Sequence, residues 1–190
     1  MSTDARPPRH PVVRVIGWCE QVSEWTGRVV SWLTLLMVLV TFAIVVLRYG
    51  FNLGWIGMQE SVTYLHAMVF MIGAAYTLKH DGHVRVDIFY RDMSERKRAW
   101  VDMLGAIFLL LPVCIFIAWT SWDYVAESWR LRESSPDAGG LPWVYILKTN
   151  ILIMCALFIV QGIAQALHGL ATLAGWHPPP EVDAGLEQEL

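Results

Sequence analysis

Six histidines, three cysteines and seventeen acids could do chemistry in this sequence of 190 residues. Their placement argues against most of that chemistry. His66 and His168 lie in apolar stretches, where axial ligands of a haem held between membrane helices would lie. Set on helices, they fall toward opposite ends of their stretches and make a poor axial pair. His80 and His83 match the depth of His168 but belong in or beside a loop. Cys19, Cys114 and Cys155 are odd in number and lack metal-type spacing. The last two sit in apolar runs and read as small buried hydrophobes. There is no HExxH, P-loop or GxGxxG, and no Ser/His/Asp or Cys/His constellation. No catalytic, cofactor-binding or metal residue is therefore assigned, and the chain is not expected to be an enzyme. A membrane cytochrome or quinone-linked anchor is the alternative the histidines leave open, and a Soret band would decide for it.

Polar residues inside the apolar stretches carry the next possibility. Ser31, Thr34, Thr41 and Arg48 share one helical face. Asn150, Gln161 and His168 share another, with Gln165 nearby. These faces fit a polar lumen or, as the preferred reading, hydrogen bonds between helices of about 1 kcal/mol each. A coupled transport path needs ionisable groups deep in the membrane and interrupted helices. Here the span centres hold no Asp, Glu, Lys or Arg, and only Pro112 interrupts a span. The chain alone is not expected to move a solute.

The elements that position these residues follow from composition. Hydrophobic residues make up 55% of the chain and charged ones 16%, against roughly 25% charged in a soluble domain. Mean hydropathy is +0.43. The net charge of −3 gives no footprint for nucleic acid. Charge-free blocks run from Val29 to Leu47, Ser61 to Leu78, Met103 to Trp122 and Thr149 to Pro180, the last with its apolar centre at Ile151 to Leu167. Each can cross a hydrocarbon core of about 30 Å as a helix, and lipid demands helices because the backbone must satisfy itself. The fold class is all-α: four transmembrane helices at about 29–48, 59–79, 99–123 and 143–168 within a domain of 29–170. The first block starts too late, and is too long, for a cleaved signal peptide. Lys and Arg number ten on the side of the termini and four on the other, which predicts both termini in the cytoplasm.

Around the spans, residues 1–28 form a cytoplasmic segment. In it Val15, Trp18, Val22, Trp25 and Val29 recur at intervals of three and four, making one apolar stripe. This predicts an amphipathic interfacial helix or, equally, an extension of the first span. The third helix should start near Ser94 and run to about Leu131, with a kink at Pro112. The fourth should open at Pro142, with Trp143 and Tyr145 as interfacial anchors. Gly50 to Gly57 reads as a loop lying along the membrane surface. Residues 171–190 read as a disordered acidic tail.

One stretch carries a familiar pattern. Glu60, Tyr64, Phe70, Gly73-Ala74-Ala75, Lys79 and Gly82-His83-Val84-Arg85-Val86-Asp87 resemble the signature of the small membrane subunit of tripartite ATP-independent periplasmic (TRAP) transporters, the DctQ family. Arg48-Tyr49 and the region from Ser128-Trp129-Arg130 to Pro142-Trp143 are similar as well. The resemblance covers about Val29 to Leu170.

The resemblance implies a multi-pass protein of the bacterial inner membrane. It implies a scaffold for a large membrane subunit that moves substrate in an elevator-like way. A periplasmic solute-binding protein would deliver an organic acid or related solute. It also implies no cofactor in this chain, with Na⁺ held by the large subunit. Membrane lipids are partners and nucleic acid is not. Candidate interface or structural residues are Arg48, Tyr49, Glu60, Tyr64, Gly73, Ala74, Ala75, Lys79, His83, Arg85 and Asp87. Candidates for the periplasmic dock are Trp129, Arg130, Arg132 and Trp143.

Overall fold

A computed structural model describes residues 11–84 and 87–176. Helix α1 spans Pro11–Phe51, α2 Ile56–Lys79, the one-turn α3 Asp87–Tyr90, α4 Glu95–Leu131 and α5 Val144–Ala174. No strand occurs among the described residues. Helices α1, α2, α4 and α5 are long and apolar enough to cross a membrane, as the charge-free blocks require. Arg6, Arg9, Arg85, the side chain of Asp87 and the tail after Trp176 lie outside the described residues.

The helices overrun the apolar blocks because nothing stops them there. No proline follows Pro11 in α1, so the extramembrane stripe and the first span are one helix of 41 residues. It stops where Asn52 turns left-handed at φ 54 and Leu53 N–H bonds back to the Leu47 carbonyl at 3.0 Å. The expected surface loop thus shrinks to the residues between Phe51 and Ile56. In α4 a π-helical stretch, Ala106–Leu110, precedes Pro112. Proline has no N–H and crowds the preceding turn; the wider turn lets the helix pass it unbroken. Helix α5 opens at Val144 with Trp143 as its N-cap residue, two residues after Pro142, and closes on Gly175 at φ 72, a left-handed C-terminal stop.

Helix α5 packs against α1, α2 and α4, and α1 also packs against α2. The contacts use small residues, since lipid gives greasy side chains no reason to hide. The buried face of α1 carries Ile16, Cys19, Ser23, Gly27 and Val30. A Cβ on Gly27 would fall 2.2 Å from the Tyr76 ring, and one on Gly169 2.8 Å from the Ala99 carbonyl oxygen. The tryptophan stripe faces away: Trp18, Trp25 and Trp32 are 64%, 68% and 72% exposed.

Helix α2 is the shortest long helix. Its last residue, Lys79, lies level with Glu24 of α1, 2.9 Å from that carboxylate. Beyond this level the first turns of α1 and α4 and the last turns of α5 continue, with Gly169 against Ala99. A cavity of about 100 Å³ opens under the end of α2, lined by groups including Glu20, Asp102, Gln165 and His168.

Candidate functional site

The loop of residues 132–143, between α4 and α5, is heavily hydrogen-bonded. Helix α4 ends as Arg132 turns left-handed at φ 48. Glu133 then folds back: its N–H reaches the Ser128 carbonyl at 3.1 Å, and its carboxylate accepts from the Ser128 hydroxyl at 2.6 Å. Lys148 of α5 donates to that carboxylate at 2.5 Å while its ammonium lies 4.0 Å from the Tyr124 ring centre. The Lys148 ammonium first, and the Ser128 hydroxyl second, hold the Glu133 carboxyl below its ordinary range. Within the loop, Ser135 N–H bonds to the Leu141 carbonyl at 3.0 Å and Val144 N–H to the Glu133 carbonyl at 3.1 Å.

Glu60 of α2 clamps the loop from the other side. Its carboxylate accepts from Leu141 N–H at 2.6 Å and from the Ser135 hydroxyl. Gly57 N–H donates to the Gly139 carbonyl at 3.0 Å. A Cβ on Gly140 would lie 2.5 Å from Ser135 Oγ and 2.8 Å from Glu60 Oε1, so the clamp closes only over a glycine. One acid from α2 and one lysine from α5 thus tie the same short loop. Hydrogen bonds to a charged carboxylate are shorter and stronger than those between neutral groups.

The loop carries an aromatic and basic rim. The Arg132 guanidinium lies 5.5 Å from the Trp129 ring centre and 5.4 Å from that of Tyr145. The two rings meet edge to face at 4.6 Å, and the Trp129 indole N–H donates to the Thr149 hydroxyl at 2.8 Å. Arg130 turns to Glu127 at 2.6 Å on the exposed flank of α4. Trp143 stands exposed where α5 begins. Trp129 and Arg132 therefore form one stack, with Arg130 and Trp143 beside it rather than in it.

The remaining candidates separate. Tyr64 is buried on α2, and its hydroxyl has no hydrogen-bond partner among the described residues; the same holds for the Asn150 side-chain amide nitrogen. Arg48 and Tyr49 are exposed at the end of α1. Gly73 faces Val30, with 3.4 Å for an added Cβ; Ala75 is buried and Ala74 half-buried, so this cluster packs inside the bundle. Lys79 lies at the opposite end, where His80 also reaches Glu24 at 3.1 Å and Arg28 does so at 3.4 Å. His83 is exposed. His66 faces outward, stacked at 6.3 Å on Phe70, while His168 lines the cavity at the Lys79 end. Ser31, Thr34 and Thr41 each bond to the carbonyl four residues back. Gln161, by contrast, accepts from Ser23 at 2.7 Å in the buried interior, the interhelical bond expected of it.

Four contributors have no counterpart among the sequence candidates: Glu24, Glu133, Ser135 and Lys148. Glu24 and Lys79 each flank an apolar block on the same side, and Glu133 and Lys148 flank one loop. Those placements were the available signal, but sequence spacing does not pair them.

Comparison with known proteins bears on residues 37–172, which match the family model described as tripartite ATP-independent periplasmic transporters, DctQ component. The chain is 28% identical over 111 residues to the C4-dicarboxylate TRAP transporter small permease protein DctQ of Vibrio cholerae serotype O1. The match covers 56% of this chain and 47% of that relative, so the chain spans about half the length of the curated relative it matches. No solved structure matches it.

Proposed function

The chain belongs to the DctQ component family of tripartite ATP-independent periplasmic transporters, and from that premise we propose that it is the small permease subunit of such a transporter in a bacterial inner membrane. It braces a large membrane subunit that carries the solute, an organic acid, together with Na⁺. Both termini face the cytoplasm, in keeping with the ten-to-four excess of Lys and Arg on that side. The loop of 132–143 then faces the periplasm and receives the solute-binding protein.

The observation that carries this reading is the double tie on the loop, by Glu60 from α2 and Lys148 from α5. A tied loop loses little conformational entropy when a partner lands on it. Trp129, Arg130, Arg132 and Trp143 supply the aromatic and basic contacts that interfaces favour. Membrane-embedded charges for a solute path are absent from the span centres, which suits a bracing role.

The test is uptake in vesicles holding the small subunit, the large subunit and the binding protein. Reversing Arg130 and Arg132 to Glu should abolish stimulation by the binding protein while the two membrane subunits still co-purify. Unchanged dependence on the binding protein would remove the dock from these residues.

A further inference from the structure

The short helix α3 exposes apolar side chains that belong to no core. Ile88 and Phe89 are 78% and 74% exposed. The turn that presents them is held from within. The Tyr90 hydroxyl donates to the Asp102 carboxylate of α4 at 2.5 Å. Arg98 of α4 donates to the Arg91 carbonyl at 2.6 Å, and its guanidinium lies 5.4 Å from the Tyr90 ring centre. Met93 N–H closes the turn on the Tyr90 carbonyl at 3.1 Å. Tyr90 is thus tied to α4, and its two apolar neighbours are left outside on a fixed turn.

Depth decides what covers them. Asp102 is the last charge before the apolar block of α4 that begins at Met103, so its level marks the edge of the hydrocarbon. The Tyr90 bond brings α3 back to that level. Trp100, exposed on α4 two residues before Asp102, is of the type that sits at this boundary. The bases lie farther out. Arg96 precedes Asp102 by six residues, roughly 9 Å along the helix. Arg91, Arg96 and Lys97 are exposed, and among the described residues no carboxylate pairs with them. From residue 91 to 98, four bases stand against two acids, Asp92 and Glu95. Apolar side chains at the hydrocarbon edge, with free cations one layer out, are the pattern of a segment lying in a membrane interface.

We propose that the turn from Ile88 to Arg98 is a binding site for anionic phospholipid. Ile88 and Phe89 enter the acyl boundary, and Arg91, Arg96 and Lys97 hold the phosphate headgroups. Lipid is the occupant because α4 crosses the bilayer beside this turn, so acyl chains and phosphates meet it at these depths without any assembly step. The inference goes beyond the transporter reading and requires only that α4 spans a membrane.

The test uses the full chain alone in nanodiscs of phosphatidylcholine with or without phosphatidylglycerol. A nitroxide is attached through Phe89→Cys, with Phe116→Cys in the span and Ala138→Cys in the 132–143 loop as references; the three native cysteines are buried. Judged by accessibility to oxygen against a water-soluble nickel complex, residue 89 should group with residue 116 and not with residue 138. Native mass spectrometry should show phosphatidylglycerol retained over phosphatidylcholine. Combining Arg91→Gln, Arg96→Gln and Lys97→Gln should lower that preference by roughly fivefold for each charge removed, with helix content unchanged by circular dichroism. A label at residue 89 as open to nickel as one at residue 138, or an undiminished preference in the triple variant, would overturn the site. So would shielding of residue 89 that appears only when the large subunit is added, which would give this turn to a protein partner. Failure of the chain to support uptake would overturn the transporter reading alone.

Discussion

The two ends of the bundle use the same chemistry for opposite purposes. At the loop end, Glu60 and Glu133 accept bonds from a loop and from the helices that frame it. The acids there close an irregular segment onto regular ones. At the other end, Glu24 accepts from Lys79 and His80, so one helix grips the terminus of the next. The acid there marks where α2 stops and where α1, α4 and α5 continue beyond it, with Trp18 exposed. A carboxylate at a helix end does not reveal its task until its donors are known.

The contrast can be broken at either end. The largest effect should come from Gly169→Ala, because one neighbour at 2.8 Å is the backbone oxygen of Ala99 and cannot rotate away. Separation of α4 from α5 should cost toward the upper end of about 1–3 kcal/mol, read from denaturant unfolding in detergent. Next, Glu60→Ala leaves Leu141 N–H and Ser135 without their acceptor. Faster proteolysis within the loop is expected, while Glu60→Gln should fall between wild type and Ala.

A pH scan sharpens the comparison further. The Glu133 carboxyl titrates below its ordinary range because Lys148 and Ser128 favour its charged form. The tie therefore contributes fully above the unfolded value of about 4.3 and is lost as pH falls through the lower folded value. Loop proteolysis by an acid-active protease should rise across that window, and Lys148→Met should flatten the rise. The smallest effect belongs to Glu127→Gln: its partner Arg130 is largely exposed, and solvent screens such pairs to little or no measurable stability, so the unfolding midpoint should not move.

The spans were legible because lipid imposes one rule, a long charge-free run, and α1, α2, α4 and α5 all obey it. The ends of α4 lie at Glu95 and Leu131, within a residue of where Ser94 and the breakers after Leu131 put them, whereas the start of α1 does not follow from its charge-free block. No proline follows Pro11 before Val29, so the amphipathic segment and the first span merge, and Pro112 is absorbed by a π turn. The Val15–Val29 stripe was visible, but its direction was not. Cys19, Ser23 and Gly27 face the core because small residues let helices approach, with Ile16 buried beside them and the larger tryptophans left outside. Glu60 and Tyr64 were singled out and do lie together on α2, yet Glu60 is explained by Ser135 and Leu141, more than seventy residues away. Long-range bonds of this kind leave no periodic trace in a sequence.

Uptake by proteoliposomes is the most direct measurement. Vesicles containing this chain alone, given an inward Na⁺ gradient and a radiolabelled organic acid, should accumulate none above empty vesicles, while vesicles with the large subunit and binding protein added should accumulate it. Gradient-driven accumulation by the chain alone would contradict the proposed bracing role.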